Sequence, residues 1–176
     1  MTNTQTQPDG RLVEVDGAYQ IEFERVYPHP IEEVWDAITN PARIAKWWLP
    51  FDADIELDLR PGGKYELRAK GPEAMEISWT VVRVEPPTLF EHTHSDIGGN
   101  IRWMLHDEGG ATRLELVQTP ADRDAVIEMG FIVGLHMSLD RLGRDLDGVA
   151  DNPWDWDVEA VHKERYAENG LARQPT

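Results

Sequence analysis

Two histidines, His92 and His94, lie at i and i+2 of a strand-like run, so both rings leave the strand on one face. Such a pair can chelate a metal if a third ligand arrives from elsewhere, and an imidazole near neutral pH can serve as a general base. No Asp or Glu shares their inward phase on the adjoining strands. The pair is therefore expected to form the polar wall of a cavity, with no metal and no cofactor. His136 stands beside an apolar helical stripe and is expected to be a satisfied histidine on the helix flank. Ser78, Ser95 and Ser138 have no nucleophile-elbow context, and no glycine-rich phosphate loop follows a strand. The acidic residues fall mainly on outward phases, as a solvated face requires. What remains is a pocket wall, with cyclase- or hydrolase-type catalysis by His92 or His94 as the alternative.

The elements that must position this wall are legible in the periodicity. Leu12 to Val15 and Tyr19 to Tyr27 read as strands joined by a tight Asp16-Gly17 turn. Pro30 and the Asn40-Pro41 pair each open a short helix, the second running to about Trp48. From Ile55 to Thr119 the texture has period two, broken at Pro61-Gly62-Gly63, Pro86-Pro87, Gly98-Gly99 and Gly109-Gly110. Such short connections predict an antiparallel meander of about six strands. Within it Tyr65 and Leu67, Phe90 with the two histidines, Trp103 and Leu105, and Leu114, Leu116 and Gln118 share inward phases. Trp79 sits in a run with apolar residues on both faces, and its phase is left open. Ile127, Phe131, Leu135, Leu139, Leu142 and Leu146 mark one face of a single long helix ending near Gly148. A last short helix is bracketed by Asn152-Pro153 and Asn169-Gly170. Trp47 and Trp48 close the second short helix, as core or, for Trp48, at the cavity mouth. Trp154 and Trp156 are expected to cover the domain or to form a homodimer contact.

The chain has 176 residues, 40% hydrophobic, with seven Trp, which suits one domain with a real core. A net charge of −16 would repel a phosphate backbone or an anionic leaflet, so neither nucleic acid nor membrane is an expected partner. There is no Cys for disulfides or thiolate sites, and no apolar run approaches the roughly 20 residues that span a bilayer. A soluble, cytoplasmic protein is expected.

The order strand, two short helices, meander, long helix resembles the START-like (SRPBCC, helix-grip) superfamily. Five stretches sharpen the likeness: HPIEEVWDAITNPARIAKWW (29 to 48), DLRPGGKYELR (58 to 68), VEPPTLFEHT (84 to 93), GGATRLELVQT (109 to 119) and GLHMSLDRLGRDLDG (134 to 148). With them the chain looks like the bacterial branch of the activator of heat shock protein 90 ATPase homologues. The resemblance implies an α+β helix-grip fold, an antiparallel sheet of six to seven strands wrapped around the long helix. The polar composition of residues 1–10 predicts a disordered tail, followed by the domain at 11–150 and an extension with a short helix at 151–176. The resemblance also implies a cavity for a small hydrophobic or aromatic molecule, for which Trp48, Tyr65, Leu67, Phe90, His92, His94, Trp103, Leu105, Gln118, Phe131 and Leu135 are the candidate contacts. The eukaryotic co-chaperone of this family carries an additional N-terminal docking domain, for which the residues before the first helix leave no room. Classical co-chaperone action is therefore not expected, while a chaperone-associated stress-response protein stays as a further alternative to ligand binding.

Overall fold

The computed structural model describes residues 7–72, 75–94 and 98–174, so Ser95 and the first six residues of the expected tail lie outside the described residues. β1 (Arg11–Val15) and β2 (Ala18–Tyr27) form a hairpin whose turn residues Asp16 and Gly17 both have positive φ, 52° and 82°. Asp-Gly favours that geometry because it matches the twist of the paired strands. α1 (Ile31–Thr39) and α2 (Pro41–Trp47) then carry the chain to the opposite sheet edge. Asn40 caps α2, its side chain accepting from Ala42 N at 3.1 Å ahead of Pro41 at the first helical position.

β3 (Ala53–Leu57), β4 (Lys64–Ala69), β5 (Glu76–Glu85), β6 (Leu89–Thr93), β7 (Asn100–Asp107) and β8 (Thr112–Ala121) are the six-strand meander. β2 pairs with β8, so the sheet has eight strands in the order β1-β2-β8-β7-β6-β5-β4-β3, every neighbour antiparallel. This is an α+β helix-grip arrangement.

The expected single long helix is two. α3 (Arg123–Met129) ends at Gly130, whose φ of 63° is left-handed, and α4 (Phe131–Leu146) starts afresh from it. A left-handed residue ends a helix, and glycine takes that conformation without a Cβ penalty. The apolar recurrence continues across the break, which is why periodicity alone merges the two helices. α4 buries Ile132, Leu135, Leu139, Leu142 and Leu146, each worth roughly 1.5–3 kcal/mol when fully buried. Arg141 ties it to the end of α2 by donating to the carbonyls of Lys46, Trp47 and Leu49 at 2.7–3.1 Å and to that of Asn152.

α5 (Trp156–Glu168) folds back on the domain. Its Tyr166 is 1% exposed, and the phenol oxygen accepts from Gly10 N at 2.7 Å, while Arg165 forks onto Asp9 at 2.6 and 2.8 Å. Residues 9 and 10 are thereby pinned by the far end of the chain. Trp154 is half-buried against the Arg141 guanidinium, whereas Trp156 is 62% exposed. No helix among the described residues is long and apolar enough to cross a membrane.

Candidate functional site

The strand phases converge on one aromatic wall beneath α4. Tyr65 of β4 pairs in register with Trp79 of β5, and Phe90 of β6 with Trp103 of β7. Trp79 points inward, and a register shift between Val81 and Arg83 explains why its run looked two-sided. A bulge reverses the strand's phase at its own position, so Val81 and Val84 both face in. Trp79 lies over His92 at 5.1 Å with the rings 21° from parallel, and 5.0 Å from His94. Tyr65 meets Trp79 and His92 edge-on at 5.2 and 5.0 Å.

From the helical side Trp48 closes the wall, 5.4 Å from Trp103 and 6.3 Å from Trp79. Trp47 takes the structural share of that pair: its indole N–H donates to Ala37 O at 3.0 Å and its ring rests 5.8 Å from Trp103. Phe131, half-buried at the start of α4, faces His94 edge-on at 4.7 Å. Leu67, Leu105, Leu135 and Gln118 are buried in the same interior, Gln118 to 0% exposure. All eleven candidate residues thus line the space between sheet and α4, with Phe131 at its rim.

The rings of this interior pack directly on one another, Trp48, Tyr65, Trp79 and Trp103 each being 6% exposed or less. Two hollows lie outside the grip. One, of about 530 Å³, is open over Pro41, Ile55, Leu57 and Lys64; the other, of about 60 Å³, sits at Ile127, Met129, Val133 and Arg173. Within the wall two buried polar atoms lack a hydrogen-bond partner among the described residues, the donor Trp48 Nε1 and the acceptor Gln118 Oε1. Gln118 Nε2 is used, donating to Gly98 O at 2.7 Å. A buried donor or acceptor left unpaired costs about 1–3 kcal/mol, so these atoms favour a polar partner.

His92 is fully engaged. Trp103 Nε1 donates to its Nε2 at 3.2 Å, so the ring proton lies on Nδ1 and points to Thr93 O at 2.9 Å. Burial, reinforced by His94 nearby and partly offset by the Thr93 carbonyl, lowers its pKa to about 3. The ring is therefore neutral at physiological pH. Burial alone pushes the Tyr65 phenol upward, so it too is uncharged.

The family model described as activator of Hsp90 ATPase homolog 1-like protein matches residues 28–147, about two thirds of the chain. The chain belongs to that family. The matched span runs from the residue after β2 through α4 and contains the whole aromatic wall. Among solved structures, CalU16 from Micromonospora echinospora is 27% identical, with a TM-score of 0.65, over 91% of this chain and 93% of its own. The protein encoded by gene BPP1335 of Bordetella parapertussis is 28% identical, with a TM-score of 0.69, over 99% and 97%. A protein from Arthrobacter aurescens, 17% identical with a TM-score of 0.68 over 81% and 94%, shares the fold. No curated protein gives a significant match. Together these establish a START-like, helix-grip member of that family.

Sequence reasoning missed a second buried polar cluster. Arg25 of β2, His136 and Asp140 of α4, and His162 and Tyr166 of α5 gather on the side of α4 facing α5. The apolar stripe places His136 only on the flank of its helix, and the i, i+4 spacing of His136 and Asp140 is the one sequence signal that points to the cluster.

Proposed function

We propose that the protein binds a small, largely apolar molecule with aromatic character between its sheet and α4, without catalysing a reaction on it. The observation carrying this reading is the continuous wall of Trp48, Trp79, Trp103 and Tyr65, in which the Trp48 indole N–H and the Gln118 carbonyl have no hydrogen-bond partner among the described residues. A few convergent polar atoms in an aromatic surround are the usual make-up of a ligand site. Because the rings already pack on one another, a ligand enters by replacing ring-ring contacts with ring-ligand contacts. Each such pair is worth about 0.5–1.5 kcal/mol beyond burial, so the exchange is close to balanced and the grip can open.

Both nitrogens of His92 are committed to neighbours and the ring resists a second proton, which supports a wall over a general base. The reading places the protein in the cytoplasm. With a net charge of −16 it takes neither nucleic acid nor an anionic membrane as partner.

The test is a thermal-shift panel of apolar and aromatic molecules, 2-naphthol among them, combined with native mass spectrometry. A true ligand raises stability by about 2.7 kcal/mol at one hundred times its dissociation constant. The His92→Gln/His94→Gln double variant should fold and still bind, with affinity altered by about 1 kcal/mol, one net hydrogen bond. Silence across the panel, joined to stimulation of an Hsp90 ATPase, would overturn the reading, as would a turnover that vanishes in the double variant.

A further inference from the structure

The grip leaves unused the polar cluster between α4, α5 and β2. His136 and Asp140, one turn apart on α4, meet His162 of α5. His136 Nε2 stands 3.4 Å and His162 Nε2 3.7 Å from one oxygen, Asp140 Oδ2, and a ligand atom from each residue lies within 4.8 Å of the others. These gaps exceed the roughly 2.7–3.2 Å of an N–H···O hydrogen bond. They lie near the spacing of ligands around one tetrahedral zinc, where bonds of about 2.0–2.1 Å set ligand atoms roughly 3.3 Å apart. His162 Nε2 is also buried without a hydrogen-bond partner among the described residues, 3.7 Å from Asp140 Oδ2, with its ring 4.1 Å from that of His136. We propose that His136, Asp140 and His162 bind a zinc-class divalent cation, with the fourth coordination position left to a water.

The surroundings supply an outer contact and an opposing charge. His136 Nδ1 lies 2.8 Å from Tyr166 Oη, so with Nε2 on the cation the Nδ1 proton is donated to the phenol oxygen, fixing the ring. Arg25 approaches Asp140 from the other side, 3.5 Å from Oδ1, and leaves Oδ2 to the cation. Arg165 is neutralised by Asp9, but its Nη2 also donates to His162 Nδ1 at 2.9 Å. In the metal-free protein the His162 proton therefore sits on Nε2. On binding the cation at Nε2 the ring takes the other neutral tautomer, with its proton on Nδ1, and Arg165 then keeps only its Asp9 contacts. The two guanidiniums and two carboxylates cancel, so affinity rests on the bonds to two imidazoles and one carboxylate. Once formed, those bonds fasten α5 to α4.

The experiment uses the untagged full chain, stripped with EDTA, equilibrated with zinc chloride, desalted and assayed for zinc by mass spectrometry. Wild type and the control His29→Gln should each retain one zinc per chain, and His162→Gln should retain roughly tenfold less or lower. Zinc should raise the unfolding temperature of wild type and leave that of His162→Gln unmoved. His162→Gln is the decisive variant because it leaves the Arg25–Asp140 pair intact, and circular dichroism checks its fold. Less than a tenth of an equivalent on wild type, or equal zinc on wild type and His162→Gln, would overturn the proposal.

Discussion

Lowering the pH from 7 to 4.5 offers His92 a second proton that the folded protein has no place for. Its Nδ1–H already donates to Thr93 O, and its Nε2 already accepts from Trp103 Nε1, so an added proton would face another N–H. Burial is the main reason its pKa falls to about 3, against about 6.5 in an unfolded chain. The folded value is the lower one. Stability from this group is therefore complete above pH 6.5 and drains away as the pH falls toward 3, because the unfolded chain binds the proton first. At about 1.4 kcal/mol per pH unit, the two units from 6.5 to 4.5 amount to about 3 kcal/mol. Urea unfolding of wild type and His92→Gln at pH 7 and 4.5, at one ionic strength, measures this directly. Other groups titrate in both proteins and drop out of the double difference. Wild type should lose about 3 kcal/mol more than the variant between the two pH values. Equal losses would refute the assignment of a buried, neutral, doubly engaged His92.

Three further outcomes follow from named contacts. Trp103→Phe should weaken binding of 2-naphthol or any panel ligand more than Arg102→Ala, because alternation sends the two side chains to opposite faces; isothermal titration decides, and equal effects would refute the phase. Arg141→Ala should cost about 3 kcal/mol in urea unfolding, since it orphans carbonyls at the end of α2 and at Asn152; a loss under about 1 kcal/mol would refute that role. Gly99→Ala should cost about 1–3 kcal/mol, because φ there is 69° and a Cβ would collide with the backbone carbonyl oxygens of Thr119 and Pro120; an unchanged melting temperature would refute the tight approach.

The elements with strong local signals were legible before any coordinates. Asp16-Gly17, Asn40-Pro41 and the period-two runs lie where turn chemistry and alternation put them, and the inward phases of His92, His94 and Trp103 followed from side-chain alternation. What stayed hidden depends on single residues that break a pattern or on partners far along the chain. The bulge near Val82 shifts the phase of β5 without any residue that marks it, so Trp79 could not be placed. Gly130 ends α3 while the apolar stripe runs on, because periodicity counts residues and is blind to one left-handed φ. The cluster around His136 needed α5 to return to the domain, a docking made by Tyr166 and the Arg165–Asp9 fork that α5's own pattern does not announce.

The claim that the ligand lodges between sheet and α4 is tested most directly by the indole N–H resonances of the seven tryptophans during titration with 2-naphthol. Its rings can replace ring contacts of the wall, and its hydroxyl can accept from Trp48 Nε1 or donate to Gln118 Oε1. Saturable shifts should appear for Trp48, Trp79 and Trp103 and leave Trp154 and Trp156 unmoved. Shifts confined to Trp154 and Trp156, or no saturable shift with 2-naphthol or any other panel member, would contradict the account.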